Sequence, residues 1–361
     1  MPKVNKRWCD AGTTHVFLQQ DNTITPCCAL KMSDKYPFYR HQLPESTNLL
    51  KAMKSFEWRD KLIPLINGPL PDGQCEQCIT QEAETGDSIR KNIARAGVTH
   101  PSGFFLHVDF SNKCNLKCVM CSSYRSTGWI KDEIALGEYA EWNKRSEYKK
   151  LNDNWWTDTP IDWWRNIGRI EVSGGEPFYE PQFFEFLDFL LSIGKSDVWL
   201  NIITNVTLYT DEIGKKLSKF KSVKLLCSVD GWTDNIYTYA RGGRNHSLSD
   251  VKDNIKKMSR NFNDIMIVDT LHCITYDQPK IAKKWIADNN LEIKHTTNYV
   301  FTPDYLNART VLPIEFMPNY QKDPVAQDRF IRWINKLDKI RGTNILDVRP
   351  EFTEWFDSHN H

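Results

Sequence analysis

The chain has 361 residues, 47 basic and 46 acidic side chains for a net charge of +1, and 12% aromatic residues. A chain of that length buries a substantial core, which argues against disorder, and its balanced charge offers no global footprint for nucleic acid or an anionic membrane. No run approaches the ~20 apolar residues that span a bilayer, and the opening MPKVNKRWCDAG lacks the apolar stretch of a secretory signal, so a soluble cytoplasmic protein is expected.

In the reducing cytosol, ten cysteines point to metal binding or catalysis rather than a disulfide framework. Cys227 and Cys273 sit alone inside apolar runs, the ordinary setting of a buried free thiol. The other eight lie at or before position 121.

In chain order, THVFLQQDNTITPCC (14–28) alternates apolar and polar residues around Asp21-Asn22 and predicts a β-hairpin with a two-residue turn. Cys27 and Cys28 then end its second strand. Neighbouring strand side chains point to opposite faces, so one of the two faces a given metal. After the turn NGPLPDG, CEQC supplies Cys75 and Cys78, and with Cys9 there are enough thiols for a closed four-ligand site.

FFLHVDF (104–110) reads as a strand and is followed by KCNLKCVMCSS, with Cys114, Cys118 and Cys121 in a C-x3-C-x2-C pattern. A structural zinc site closes with four ligands, and iron–sulfur clusters normally take four thiolates. A cluster held by three leaves one iron open. The connection 129–168 carries Trp129, Trp142, Trp155, Trp156, Trp163 and Trp164, read as helices anchored by aromatic burial in preference to a lid or substrate platform.

Five further strands are predicted at 169–177, 198–205, 223–231, 264–276 and 291–301, with helices at 180–194, 211–220, 249–262 and 278–290 between them. This alternation predicts an α/β fold, a partial (β/α)6 TIM-type barrel whose chemistry sits on loops at the C-terminal strand ends. The cysteine triplet follows the first barrel strand, Gly174 to Pro177 the second, Asn205 the third and Asp230 the fourth. Residues 1–100 form a small cysteine-rich hairpin and helix domain, 101–301 the barrel, and 302–361 a segment packing on it through an amphipathic helix near RFIRWINKLDKI.

The triplet after a first strand, SGGEP after a second and SVDG after a fourth resemble the radical S-adenosylmethionine enzymes. The resemblance implies that Cys114, Cys118 and Cys121 hold a catalytic 4Fe-4S cluster and that S-adenosylmethionine chelates the remaining iron. Reductive cleavage then gives a 5′-deoxyadenosyl radical that takes hydrogen from an unreactive carbon. Gly174 and Gly175 would admit the methionyl moiety, because neither carries a Cβ, and Glu176 would receive its ammonium. Ser228 and Asp230 would lie near the ribose, Arg241 near the carboxylate, and Asn205 along the same cavity. Met120 stands where the family often has an aromatic residue, and its thioether can pack on adenine.

Cys9, TPCC and CEQC followed by Glu82, Gly86 and Arg90 resemble the Twitch domain, a short relative of the SPASM domain, which carries an auxiliary iron–sulfur cluster. Its ligands would be Cys9, Cys27, Cys75 and Cys78, with Cys28 as the alternate; four-thiolate zinc is the competing occupant. This domain precedes the barrel here, whereas it follows the barrel in many relatives. The resemblance implies a peptide or protein substrate and an electron donor such as flavodoxin or ferredoxin, with no membrane partner. A nucleotide, a cofactor precursor or RNA is the alternative substrate, though charge balance gives RNA no support. A non-enzymatic zinc-binding scaffold is the reading of another class. His107 and Asp109 are positioned on the first strand to face a barrel interior, but neither is assigned as acid or base.

Overall fold

A computed structural model describes residues 9–30, 41–43, 49–68, 70, 73, 75–99, 104–137, 148–242, 245–301, 303–318 and 320–359. Trp142 lies outside them. The elements that matter for the site are, in order, β1 (His15–Gln19), β2 (Thr23–Thr25), β3 (His41–Gln42), α1 (Phe56–Asn67), α2 (Glu76–Thr85), α3 (Ile89–Thr99), β4 (Phe104–Asp109), α4 (Ile130–Leu136), β5 (Ile167–Ser173), α5 (Pro181–Ser192), β6 (Trp199–Thr204), α6 (Asp211–Leu217), β7 (Ser222–Ser228), α7 (Asp234–Arg241), α8 (Leu248–Asn261), β8 (Asp264–Leu271), α9 (Gln278–Asp288), β9 (Lys294–Tyr299) and α10 (Pro324–Arg341). The fold is mixed α/β. The chain divides into two compact units, one of residues 1–113, 148–202 and 219–223 and the other of 114–147, 203–218 and 224–361.

In the first unit β4, β5 and β6 pair in parallel, with Leu106 beside Ile170 and Ile170 beside Leu200. Leu106, Val108, Ile170, Val172, Leu200 and Ile202 are all buried, as period-two side-chain placement requires of the face turned to the core. β1 joins this sheet by pairing in parallel with β4, Phe17 opposite His107. The N-terminal hairpin is therefore an extension of the sheet that contains the first predicted barrel strand.

Two details of the predicted hairpin are corrected. Gln19 pairs with Thr23, which leaves a three-residue connection in place of the two-residue turn. Asn22 takes the left-handed conformation that closes such a loop, at φ 58°, and Asp21 accepts the Thr23 hydroxyl. The second strand stops at Thr25, before Cys27 and Cys28. Pro26 has no N–H for the ladder, and the Thr25 hydroxyl instead donates to the Cys27 carbonyl at 3.2 Å.

Aromatic burial anchors the long connection. Trp155, Trp156 and Trp164 each place their ring centroid 5.4 Å from that of Phe186 on α5, and all four are buried. Phe186→Ala should cost about 3–5 kcal/mol through the cavity it opens, read as a lower urea midpoint. An unchanged midpoint would remove this cluster from the folding core.

In the second unit β7, β8 and β9 are parallel, with Cys227 opposite Ile267 and Ile267 opposite His295. Cys227 and Cys273 are buried thiols, the former 4.0 Å from the Met258 sulfur on α8. Four of the predicted interstrand helices appear as α5, α6, α8 and α9. No helix among the described residues is long and apolar enough to cross a membrane.

Candidate active site

In the second unit, residues 114–121 form a loop without helix or strand, held by neighbours. The N–H groups of Lys117 and Val119 donate to the carbonyls of Arg241 and Ala240, at 3.3 and 2.8 Å, at the end of α7. Gly242 lets the chain pass there, since a Cβ would stand 2.6 Å from the Lys117 carbonyl oxygen. Cys114, Cys118 and Cys121 are half-buried cysteines outside any disulfide. Burial pushes the Cys118 thiol up and that of Cys121 up to about 12. Ligation of a metal centre by these groups therefore releases protons.

Asn205 follows β6 and reaches the same loop. Its amide donates to Asn115 Oδ1 at 2.8 Å and lies 3.9 Å from the Cys114 sulfur. Asn115, inside the cysteine motif, is a participant that the spacing pattern did not single out; its amide also donates to the Thr207 hydroxyl at 2.8 Å. Val206 next to Asn205 has φ 69°, a strained backbone for a β-branched residue, and its carbonyl is held by Asn254 at 3.0 Å.

Ser228 ends β7, half-buried. Asp230 and Arg241 are both buried and paired to each other at 2.5 Å. Asp230 also accepts the Thr270 N–H at 2.7 Å. Burial alone would push Arg241 down, but Cys118 and Asp230 beside it hold its pKa above the usual range, while burial pushes the Asp230 carboxyl up. Met120 and Cys121 pack against the apolar core of this unit.

In the first unit the turn after β5 meets the segment after β4. Gly175 N–H donates to the Ser111 carbonyl and Glu176 N–H to the Lys113 carbonyl, each at 2.9 Å. A Cβ on Gly175 would lie 2.0 Å from the Lys113 oxygen, so this position admits glycine alone without moving backbone. Glu176 is buried and one of its oxygens caps Phe178 N–H at 3.1 Å. His107 and Asp109 meet through Ser173, whose hydroxyl donates to Asp109 at 2.5 Å and lies 2.7 Å from His107 Nε2.

Also in the first unit, Cys9, Cys27, Cys75 and Cys78 line one cavity of about 20 Å³ together with Leu65, Leu70 and Arg90. Cys28 does not line that cavity; its thiol is hydrogen-bonded to the Cys27 thiol and to His107. Burial pushes Cys9 up to about 11 and Cys75 to about 12. Among the described residues, as placed, no three His, Cys, Asp or Glu side chains are grouped to hold a metal ion.

Glu82, Gly86 and Arg90 lock the helices beside these thiols. Gly86 caps α2 at φ 75°, and buried Glu82 accepts both Arg90 and the Ser88 hydroxyl, the latter at 2.5 Å. Burial pushes Glu82 up, but its bonds to Arg90 and Ser88 and the charges of Arg90 and Lys91 outweigh it, so its pKa falls below the ordinary value. A carboxyl lowered in the folded state stabilises above its unfolded pKa, and that contribution is lost as pH falls through the folded one. Glu82→Gln should cost on the order of 2 kcal/mol at pH 7, below the range for fully buried pairs because Arg90 keeps some solvent. The difference from wild type should shrink in acid; urea midpoints at pH 7 and pH 3.5 that differ from wild type equally would refute the ion-pair account.

Residues 108–284 match the family model of the radical SAM superfamily. No curated protein sequence matches the chain. Among solved structures, anSMEcpe with bound AdoMet is 16% identical over 66% of this chain and 62% of its own, with a TM-score of 0.42. SuiB of Streptococcus suis bound to precursor peptide SuiA is 13% identical over 96% of this chain and 75% of its own, TM-score 0.40. A radical SAM methyltransferase from Sphaerobacter thermophilus is 13% identical over 68% and 65%, TM-score 0.38. The chain thus spans less than two thirds of the length of anSMEcpe and of the methyltransferase. With the cysteine triplet and the Gly-Gly-Glu turn inside the matched span, residues 108–284 constitute a radical SAM domain, the domain of an enzyme.

Proposed function

We propose that the protein is a radical S-adenosylmethionine enzyme acting on a peptide or protein side chain, with a second iron–sulfur centre in its cysteine-rich N-terminal part. The observation that carries the catalytic assignment is the half-buried triplet Cys114, Cys118 and Cys121 on an irregular loop within the matched span. Three thiols of matching chemistry suit a cluster with one open iron. When bound, the reduced cluster supplies an electron that cleaves the sulfonium of S-adenosylmethionine, equipping the enzyme to take hydrogen from an unreactive carbon.

The protein's own part is positioning. Gly174 and Gly175 bring the turn close to the segment leading into the cysteines, and Glu176 presents a carboxylate for an ammonium. Asn205 and Asn115 orient the Cys114 end of the loop. Arg241 and Asp230, paired with each other, fix the end of α7 whose carbonyls receive the loop, and they are also the candidates for the cofactor's carboxylate and ribose. Ser228 and Met120 remain candidates to contact the cofactor. The reductant would be a small electron carrier such as flavodoxin or ferredoxin.

The peptide reading rests on the resemblance of the N-terminal cysteines to Twitch and SPASM domains of peptide-modifying enzymes, supported by the cavity that Cys9, Cys27, Cys75 and Cys78 share. Zinc at the same thiols is a second reading, because four cysteine thiolates close a structural zinc tetrahedron. Anaerobically prepared protein, incubated with S-adenosylmethionine and a strong reductant, should release 5′-deoxyadenosine. Iron- and sulfide-replete protein that releases none would sink the catalytic assignment, and zinc found with half the expected iron would install the second reading.

A further inference from the structure

A loop with no regular structure needs outside support to hold three ligands in register. The indole N–H of Trp129 donates to the carbonyl of Cys118 at 2.7 Å. Trp129 is itself fixed by α10: Trp333 stacks on it, centroids 6.4 Å apart and planes 15° from parallel, and the Arg341 guanidinium lies 4.5 Å from its ring centroid. Arg341 Nε donates to Asp132 of α4 at 2.7 Å, and Asp132 also takes Lys117 Nζ at 3.2 Å. Lys117 stands between Cys114 and Cys118. Trp129, Asp132 and Trp333 are all buried.

We propose that Trp129 is a positioning residue for the catalytic iron–sulfur cluster, braced by Trp333 and Arg341 of the C-terminal helix. The proposal rests on the reading of Cys114, Cys118 and Cys121 as its ligands. The indole directs the positive end of its N–H dipole at the backbone of the middle cysteine and prevents that carbonyl from turning. Groups around a metal's ligands set both ligand orientation and reduction potential. A fixed positive dipole favours the more negative, reduced form, so its removal makes the cluster harder to reduce. The bland account is a buried tryptophan whose N–H has found an acceptor. That account predicts lower stability with no electrochemical consequence.

Trp129→Phe keeps the ring and removes the donor. Full-length variant and wild type are reconstituted anaerobically, assayed for iron and sulfide, and titrated reductively while the reduced cluster is followed by electron paramagnetic resonance with and without S-adenosylmethionine. The expected result is retained iron, a lower midpoint potential and an altered spectrum. An unchanged potential and spectrum overturn the proposal, whatever the melting temperature does. Should Trp129→Phe not fold, Trp333→Leu leaves the donor but removes its stacking partner; a shifted potential supports the brace and an unshifted one overturns it. A wild type with no reducible cluster defeats the ligand reading itself, an outcome distinct from a wild-type signal that the variants leave unmoved.

Discussion

Replacing Cys114, Cys118 and Cys121 together by alanine should abolish 5′-deoxyadenosine formation and lower anaerobically measured iron from about eight to about four per chain, at four irons per 4Fe-4S centre. Replacing Cys9, Cys27, Cys75 and Cys78 should remove the other four. The two sets sit in different compact units, with no cysteine shared, so each loss should leave the complementary iron in place. Burial holds up the thiols of Cys118 and Cys121 in the first set and of Cys9, Cys75 and Cys78 in the second, Cys121 and Cys75 to about 12, and these release protons when a metal takes them. Reconstitution should therefore run further at pH 8 than at pH 6.5. Iron falling to zero with the first set would leave the N-terminal cavity for zinc, and iron untouched by that loss would overturn the triplet's assignment.

Much of the fold was legible because its strands carry strong signals. The six barrel strands and four of their helices announce themselves by apolar runs broken at polar turns: β4 and β8 begin at the predicted residues and the other four within three residues of them. The cysteine motif was equally plain, since ligand spacing is local. What escaped was long-range. Parallel pairing of β1 with β4 joins segments about ninety residues apart with no turn to signal it. Arg341 meets Asp132 across 209 positions, so no window contains both. The glycine pair was assigned to cofactor approach, whereas the structure shows a nearer demand: Gly175 has backbone, not open space, where its Cβ would be.

That demand gives the second large effect. In Gly175→Ala the new methyl group would stand 2.0 Å from the Lys113 carbonyl oxygen and 2.9 Å from the Asn112 carbonyl carbon. Backbone cannot yield as a flexible side chain does, so the segment 111–113 must move, and the Glu176 N–H bond to Lys113 goes with it. Cys114 is the next residue. A displacement of about 1 Å there is enough to cost roughly 10²-fold in 5′-deoxyadenosine formation, with iron lost from the triplet's share alone. Gly194→Ala separates strain from placement: its φ is 75°, so the substitution strains the turn, yet a Cβ there meets nothing within 4 Å. It should lower stability by about 1 kcal/mol and leave turnover and iron unchanged. Equal loss of turnover in the two variants would show that any destabilised turn disables this enzyme, and the close approach at Gly175 would then carry no special role in seating the cysteine loop.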